Sequence, residues 1–336
     1  MNSSTSTSDG ETAGLPGCKD SRRFLKNCLG TAAGLIAASV LVNGWALLVT
    51  GDIDGLGLVS RQRERAERLS GTELVLIGDS SLGNAIDANA LGELLGVKTV
   101  NLALTGLFGF VGGQRLLETV PVASRPTRVV VMQTSDMLTR PPSDLGSVAV
   151  APGLGLDISR ARFSHELAAA ANYVWRPPHL DVLRRLVGFP AGAMDPATDY
   201  VRQGTPRVDA STSALVLRRE DIRADKVDEM RRLARWCADR GLEAWYFHGP
   251  IDAGVAERSS LYYEAANQLL AEAGFRIVAP RPLALRPSAI GDTEDHVRPQ
   301  FRLPCTTWHA QAIREAWAQE DEEAHPSAPS LDYLGF

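Results

Sequence analysis

A basic excess is missing from this chain: 35 Lys and Arg stand against 40 Asp and Glu, for a formal net charge of −5. Nucleic-acid binding depends on a surplus of cations that neutralise phosphates, so no nucleic-acid partner is expected. Neither a G-x-x-x-x-G-K-[ST] loop nor an H-E-x-x-H helix occurs, which removes the simplest nucleotide-hydrolase and zinc-protease readings. Cysteine is scarce: Cys18, Cys28, Cys237 and Cys305 are widely spaced and form no C-x-x-C pair. A structural zinc site is therefore not expected, and no metal or other cofactor is called for. Cys237 and Cys305 would pair if their domain faced an oxidising compartment; buried free thiols are the alternative. There is no internal repeat. The 336 residues, 44% hydrophobic and 22% charged, have an ordinary globular composition for at most two domains.

What is present begins with an uneven amino-terminal end. Residues 1–26 open with a Ser-, Thr- and Gly-rich stretch that cannot bury enough surface to fold. They close with the basic cluster Ser21-Arg22-Arg23-Phe24-Leu25-Lys26. From Asn27 to Gly51 there is no charged residue, and most positions are apolar. Roughly 20 such residues suffice to cross a bilayer. A cleaved signal peptide would have a shorter apolar core, and a buried core helix fits poorly ahead of a charged stretch. Residues 27–51 are therefore expected to be a single uncleaved transmembrane helix. Lys19, Arg22, Arg23 and Lys26 before it are matched by Arg61, Arg63, Arg65 and Arg68 after it, so charge count leaves the orientation open. The basic residues on the amino side lie nearer the apolar edge, while Asp52 and Asp54 follow it directly. That favours an inner-membrane, single-pass chain with its main domain in the periplasm. Residues 52–71 read as a stalk whose charged run is a solvated face.

From residue 72 to 319, apolar runs of strand length alternate with helical spacing, the rhythm of a parallel sheet. Strands are expected at Leu74–Ile77, Lys98–Leu104, Arg128–Met132, Glu243–Phe247 and Phe275–Val278. Helices are expected at Ala85–Leu95, Val111–Val120, Lys226–Arg240, Glu257–Ala273 and Thr307–Gln319. Residues 141–222 break the rhythm and read as an insertion, a lid or substrate wall. Residues 320–336 form an acidic tail expected not to pack. The fold class expected from this rhythm is α/β on a parallel sheet.

The rest is organised around Gly78-Asp79-Ser80-Ser81, a polar turn at the carboxyl end of the first buried run, where open α/β sheets place reactive groups. Asp79 and Ser80 are also the residue types that cap a helix. Serine needs a base, and the base needs a carboxylate to hold its tautomer. The late loop Gly291-Asp292-Thr293-Glu294-Asp295-His296 offers both. Asp292 is the orienting carboxylate and Asp295 the reserve, since a neighbour in sequence reaches the ring poorly. His309 is an alternative base, and His248, at a strand end, is a candidate pocket residue or, on equal footing, a His capped by local backbone. Arg140 reads first as half of a surface ion pair, with contact to an anionic substrate as the less favoured role. A metal site built from Asp292, Asp295, His296 and His248 is the less favoured use of the same side chains.

Gly78-Asp79-Ser80-Ser81-Leu82, taken with Asn101-Leu-Ala-Leu-Thr-Gly106 and the late Asp and His, resembles the SGNH (GDSL-like) hydrolase superfamily. The resemblance spans roughly Thr72 to Gln319 without the insertion. It implies a flavodoxin-like three-layer α/β/α sandwich on that parallel sheet. It also implies that Ser80 is the nucleophile, His296 the base and Asp292 its partner, with the amides of Ser80 and Gly106 in the oxyanion hole. The family's third block, Gly-x-Asn-Asp, is here Gln133-Thr134-Ser135-Asp136. Its Asn donor is absent, leaving Gln133 or Ser135 to stand in. In layout and serine block the chain is similar to extracytoplasmic proteins of alginate O-acetylation and teichoic-acid D-alanylation. That likeness implies esterase or O-acyltransferase chemistry on a cell-surface polysaccharide, beside a membrane-bound acyl carrier. A catalytically weak scaffold for polysaccharide binding or export assembly is the alternative that the missing Asn keeps open.

Overall fold

The computed structural model describes residues 18–50, 56–141 and 214–324. Its centre is β1 (Leu74–Gly78), in which every residue is buried, as a strand covered on both faces must be. β1 pairs in parallel with β2 (Thr99–Asn101) on one side and β3 (Arg128–Gln133) on the other. β3 pairs with β4 (Glu243–His248), and β4 with a later strand, β6 (Arg276–Ala279). The sheet order is β2-β1-β3-β4-β6. This is a doubly wound order, with its reversal between β1 and β3, and ligands of such sheets bind in the crevice beyond the strand ends there. A separate short pair, β5 (Ile251–Asp252) with β7 (Ala284–Leu285), lies beyond β4.

Helices cover both faces. α1 spans Cys18–Thr50, α2 Leu56–Glu67, α3 Ser80–Ala85, α4 Ala88–Leu95 and α5 Gly109–Thr119. After them come α6 (Ala224–Ala238), α7 (Ala253–Arg258), α8 (Ser260–Ala273) and α9 (Arg302–Ala324). α2, α5, α6 and α8 pack side by side in one layer, while α9 packs on α3 and α4 in the other. The core between them is continuous, from Leu74 and Ile77 through Phe110, Met230, Trp245 and Tyr263 to Ile313.

Several elements differ from their sequence pattern. The expected helix at 85–95 is two: α3 begins at Ser80 itself, capped by Asp79, and the chain turns at Ile86 before Asp87 caps α4. The expected helix at 257–273 is likewise split, at Ser259, whose hydroxyl accepts a hydrogen bond from Leu217 N at 3.0 Å. β2 is only Thr99–Asn101, because Asn101 Oδ1 turns inward to accept from Ala103 N at 2.9 Å. The expected stalk is no stalk over its helical part. Leu58, Gln62, Ala66 and Leu69 of that segment are buried, and Gln62 Nε2 donates to Ala103 O at 2.9 Å. Those positions recur at helical spacing, so one face joins the core while Arg63, Glu64 and Glu67 stay in solvent. α9 continues past Gln319 to Ala324. Cys237 and Cys305 are both buried and free, not bridged.

Among the described residues no helix is long and apolar enough to cross a membrane. The expected span, 27–51, is covered only in part, since residue 51 and the side chains of 39, 40 and 42–50 lie outside the description. The expectations for residues 1–17 and 325–336, and for most of the insertion (142–213), also fall outside the described residues.

At Gly78 the sheet leaves no room for a side chain, for a Cβ there would overlap the Met132 carbonyl of the neighbouring strand. Gly78→Ala is expected to lower stability by about 3 kcal/mol or more, the upper end of overpacking costs. A urea-unfolding midpoint equal to the parent's would contradict this account of the β1–β3 contact.

Candidate active site

Four strand ends supply the site. After β1, Asp79 is buried and works as a brace: its Oδ1 accepts from Ser81 N at 3.0 Å, and its Oδ2 from Thr134 N at 2.9 Å. The second bond crosses the switch point, joining the turn after β1 to the turn after β3. Beyond β2, Gly106 comes close: a Cβ on it would lie 3.7 Å from Asp79 Oδ2 and collide with Arg140 Nη1. Beyond β4, Gly249 abuts Ser81. A Cβ there would meet Ser81 Cβ at 2.9 Å and the Gln133 carbonyl at 2.8 Å, so only glycine lets the end of β4 approach so closely.

The late loop reaches this floor from the far end of the chain. Ile290 and Val297 form an antiparallel bridge that closes it, and Gly291 N donates to His296 O at 2.6 Å. Within the loop, Asp292 Oδ1 and His296 Nδ1 are 2.8 Å apart. Asp295 turns the other way. Its Oδ2 accepts from Ser81 Oγ at 2.7 Å and its Oδ1 from Thr293 Oγ1 at 2.6 Å. Asp252 N donates to Glu294 O at 2.9 Å, giving the loop a further hold on β5. The loop bearing His296 is thus fastened to the residue next to Ser80. The Ser80 hydroxyl, at the half-buried start of α3, makes no hydrogen bond to the His296 ring.

Electrostatics follow from this packing. Burial, then repulsion from Asp295, pushes the Asp79 carboxyl up to about 7, although Thr134 and Ser81 amides and Arg140 pull the other way. Burial also presses Asp295 upward, but His296 and the hydroxyls of Thr293 and Ser81 outweigh it and leave Asp295 below the usual carboxylate range. His296 is raised: burial works against its charged form, but its hydrogen bond to Asp292 and the field of Asp295, Asp292 and Asp79 prevail. One carboxylate of the close pair takes the charge and the other tends to keep its proton.

The other candidates are placed elsewhere. Ser135 Oγ donates to Gly249 O at 3.1 Å, so its hydroxyl is already spent on the backbone. Gln133 is fully buried, and its side-chain amide finds no partner among the described residues. Asp136 pairs with Arg140, Nε to Oδ1 at 2.8 Å. His248 is no pocket residue: its ring packs edge-on against Tyr246 and Tyr263, Nε2 lies 2.8 Å from Asn267 Oδ1, and burial drives it down to about 4. His309 is no base for this serine either. It sits inside α9 against Phe247 and Trp308, with Nδ1 donating to Cys305 O at 2.7 Å, and burial holds it down to about 4. No cluster among the described residues could hold a metal ion. Sequence reasoning missed the Ser81–Asp295 bond and the Arg140–Gly106 contact, because both join segments whose order in sequence carries no trace of their meeting.

No family model matches the chain, and no curated protein matches it. Among solved structures it is similar to LAE5, an alpha/beta hydrolase enzyme from the metagenome of Lake Arreo, Spain. The identity is 12% and the TM-score 0.36, over 75% of this chain and 97% of that one. At that level of likeness the neighbour's activity says nothing of this chain.

Ser81→Ala removes the donor to a buried carboxylate. It is expected to cost about 2 kcal/mol and to raise the Asp295 carboxyl toward the ordinary range or above. Chemical denaturation and carboxyl-carbon titration by NMR check both; an unchanged Asp295 titration would show that the bond does not hold its charge.

Proposed function

We propose that this chain is an SGNH-like serine esterase or O-acyltransferase acting on carboxylic esters. The observation that carries the reading is the Asp292–His296 pair, mounted on a loop that Asp295 ties to the hydroxyl beside Ser80. In the mechanism, Asp292 keeps the His296 Nδ1 proton, so that Nε2 is the basic nitrogen. Nε2 takes the proton of Ser80 as Oγ bonds to the ester carbonyl carbon, and the carbonyl π pair moves onto oxygen. The tetrahedral intermediate collapses by expelling the alcohol, which leaves with the proton from His296. Water or a sugar hydroxyl then attacks the acyl-Ser80 ester, giving up its proton to His296, and Ser80 departs protonated. Apo geometry without a Ser80–His296 hydrogen bond is compatible with this, because such bonds often form only in the complex.

The substrate side of the proposal is an acyl group on a cell-surface polysaccharide, with an acyl carrier in the membrane; its support is the resemblance of the serine block. The tether is α1, whose apolar Leu25, Leu29, Leu35 and Leu41 are exposed and which carries no charged residue from Asn27 onward. Carbonate washing of membranes from cells making the chain is expected to leave it in the pellet; full release into the supernatant would remove the anchor. The scaffold reading keeps one observation in its favour: the third-block Asn is absent, and Ser135 is committed to Gly249.

Hydrolysis of p-nitrophenyl acetate by the full chain separates the two. Ser80→Ala is expected to lower the rate about 10³-fold or more. The base must be neutral, and the His296 pKa is raised, so kcat/KM should climb with pH through a midpoint above 6.5 and move down in Asp292→Asn. Equal rates for parent and Ser80→Ala would leave only the scaffold.

A further inference from the structure

Asp79 and Asp295 both accept hydrogen bonds from Ser81 in the turn that carries Ser80, while Asp136 lies on the turn after β3 and Asp292 on the His296 ring. An ester attacked there gathers negative charge on its carbonyl oxygen, and nearby carboxylates oppose that charge. Backbone amides are dipoles, not full charges, and the side-chain donors at the end of β3 do not serve. Ser135 Oγ is spent on Gly249 O, and Gln133 is sealed in the core.

Arg140 occupies the position that is wanted. Its Nε is tied to Asp136 Oδ1 at 2.8 Å and its backbone N donates to Asp136 O at 3.1 Å. Asp136 is steadied in turn by Thr134 Oγ1, which donates to it at 3.1 Å. This bracing leaves the far end of the guanidinium pressed against Gly106, where a Cβ would collide with Nη1. Among the described residues no hydrogen bond engages either Nη group, and the side chain is 37% exposed, so Nη donors remain available beside Gly106. Its charge acts on Asp79 and Asp295, which places it beside the Ser80 turn as well as beside Gly106.

We infer that Arg140 is a catalytic residue whose Nη1–H donates to the oxyanion formed on the Ser80-bound ester carbonyl, beside the Gly106 amide. The inference rests on the serine-esterase reading. It assigns the oxyanion donor to a cation in place of a neutral side-chain amide. A full positive charge lets the site hold an oxyanion among several carboxylates, and a fixed guanidinium is always charged over the working pH range.

The test is the rate of acyl-enzyme formation, read as the p-nitrophenol burst from p-nitrophenyl acetate with the full chain. Arg140→Ala is expected to slow acylation about 10²-fold with KM little changed, and guanidinium ion at millimolar concentration should restore part of the loss. Gly106→Ala keeps both the amide and the arginine but forces Nη1 aside. It should slow acylation comparably while leaving the unfolding midpoint unchanged, because the end of a flexible side chain moves at little cost. Acylation of both variants at the parent rate, or a loss in Arg140→Ala that appears in KM and resists guanidinium, would overturn the role. A parent that gives no burst while Ser80→Ala behaves identically would instead sink the esterase reading, and this inference with it.

Discussion

One hydrogen bond holds the candidate site together: Ser81 Oγ to Asp295 Oδ2, 2.7 Å long and buried, between residues 214 positions apart. The late loop has other contacts, to its own backbone and to β5, but this one fixes it to the turn at the switch point of the sheet. Because β1 and β3 run outward from that point, the crevice between their ends is where a doubly wound sheet has room for a ligand. The sheet makes the crevice, and the Ser81–Asp295 bond fastens the loop that carries His296 to its edge.

The same bond distributes charge. The charge of His296, with donation from Thr293 and Ser81, stabilises Asp295 as a carboxylate, and its field then helps keep Asp79 protonated toward neutral pH and His296 basic. Asp79 is thus a brace first: two backbone amides hold it across β1 and β3, and its buried position makes ionisation costly. Concentrated negative charge favours the protonated imidazole that forms during serine attack. In the proposed mechanism it also disfavours the oxyanion, and the role inferred for Arg140, held against Gly106 by Asp136, would offset that.

The strands were legible in the sequence because Leu74–Ile77, Arg128–Met132 and Glu243–Phe247 are short apolar runs with polar ends, the mark of strands covered on both faces. Helix ends were less so. Periodicity carried the pattern through Ile86-Asp87 and through Ser259, whereas tertiary contacts break the helices there: Thr306 Oγ1 accepts from Asp87 N at 3.0 Å, and the Ser259 hydroxyl accepts from Leu217 N. The segment before the domain looked like a solvated stalk because its charges dominate; Leu58, Gln62, Ala66 and Leu69 are too few to announce a buried face. The Asp292–His296 contact could be read from spacing within one loop, though its role could not. Asp295 was set aside because it adjoins His296 and cannot reach the ring, and nothing local says that it reaches Ser81 instead. His248 and His309 looked available because burial is a property of the folded chain.

The meeting of Ser80 with His296 is tested most directly by treating the protein with a fluorophosphonate and determining the structure of the product. The account predicts phosphorus bonded to Ser80 Oγ, with His296 Nε2 within about 3 Å of an adduct oxygen and the Asp292 and Asp295 contacts intact. An unmodified Ser80, or an adduct from which the His296 ring is turned away, would contradict it.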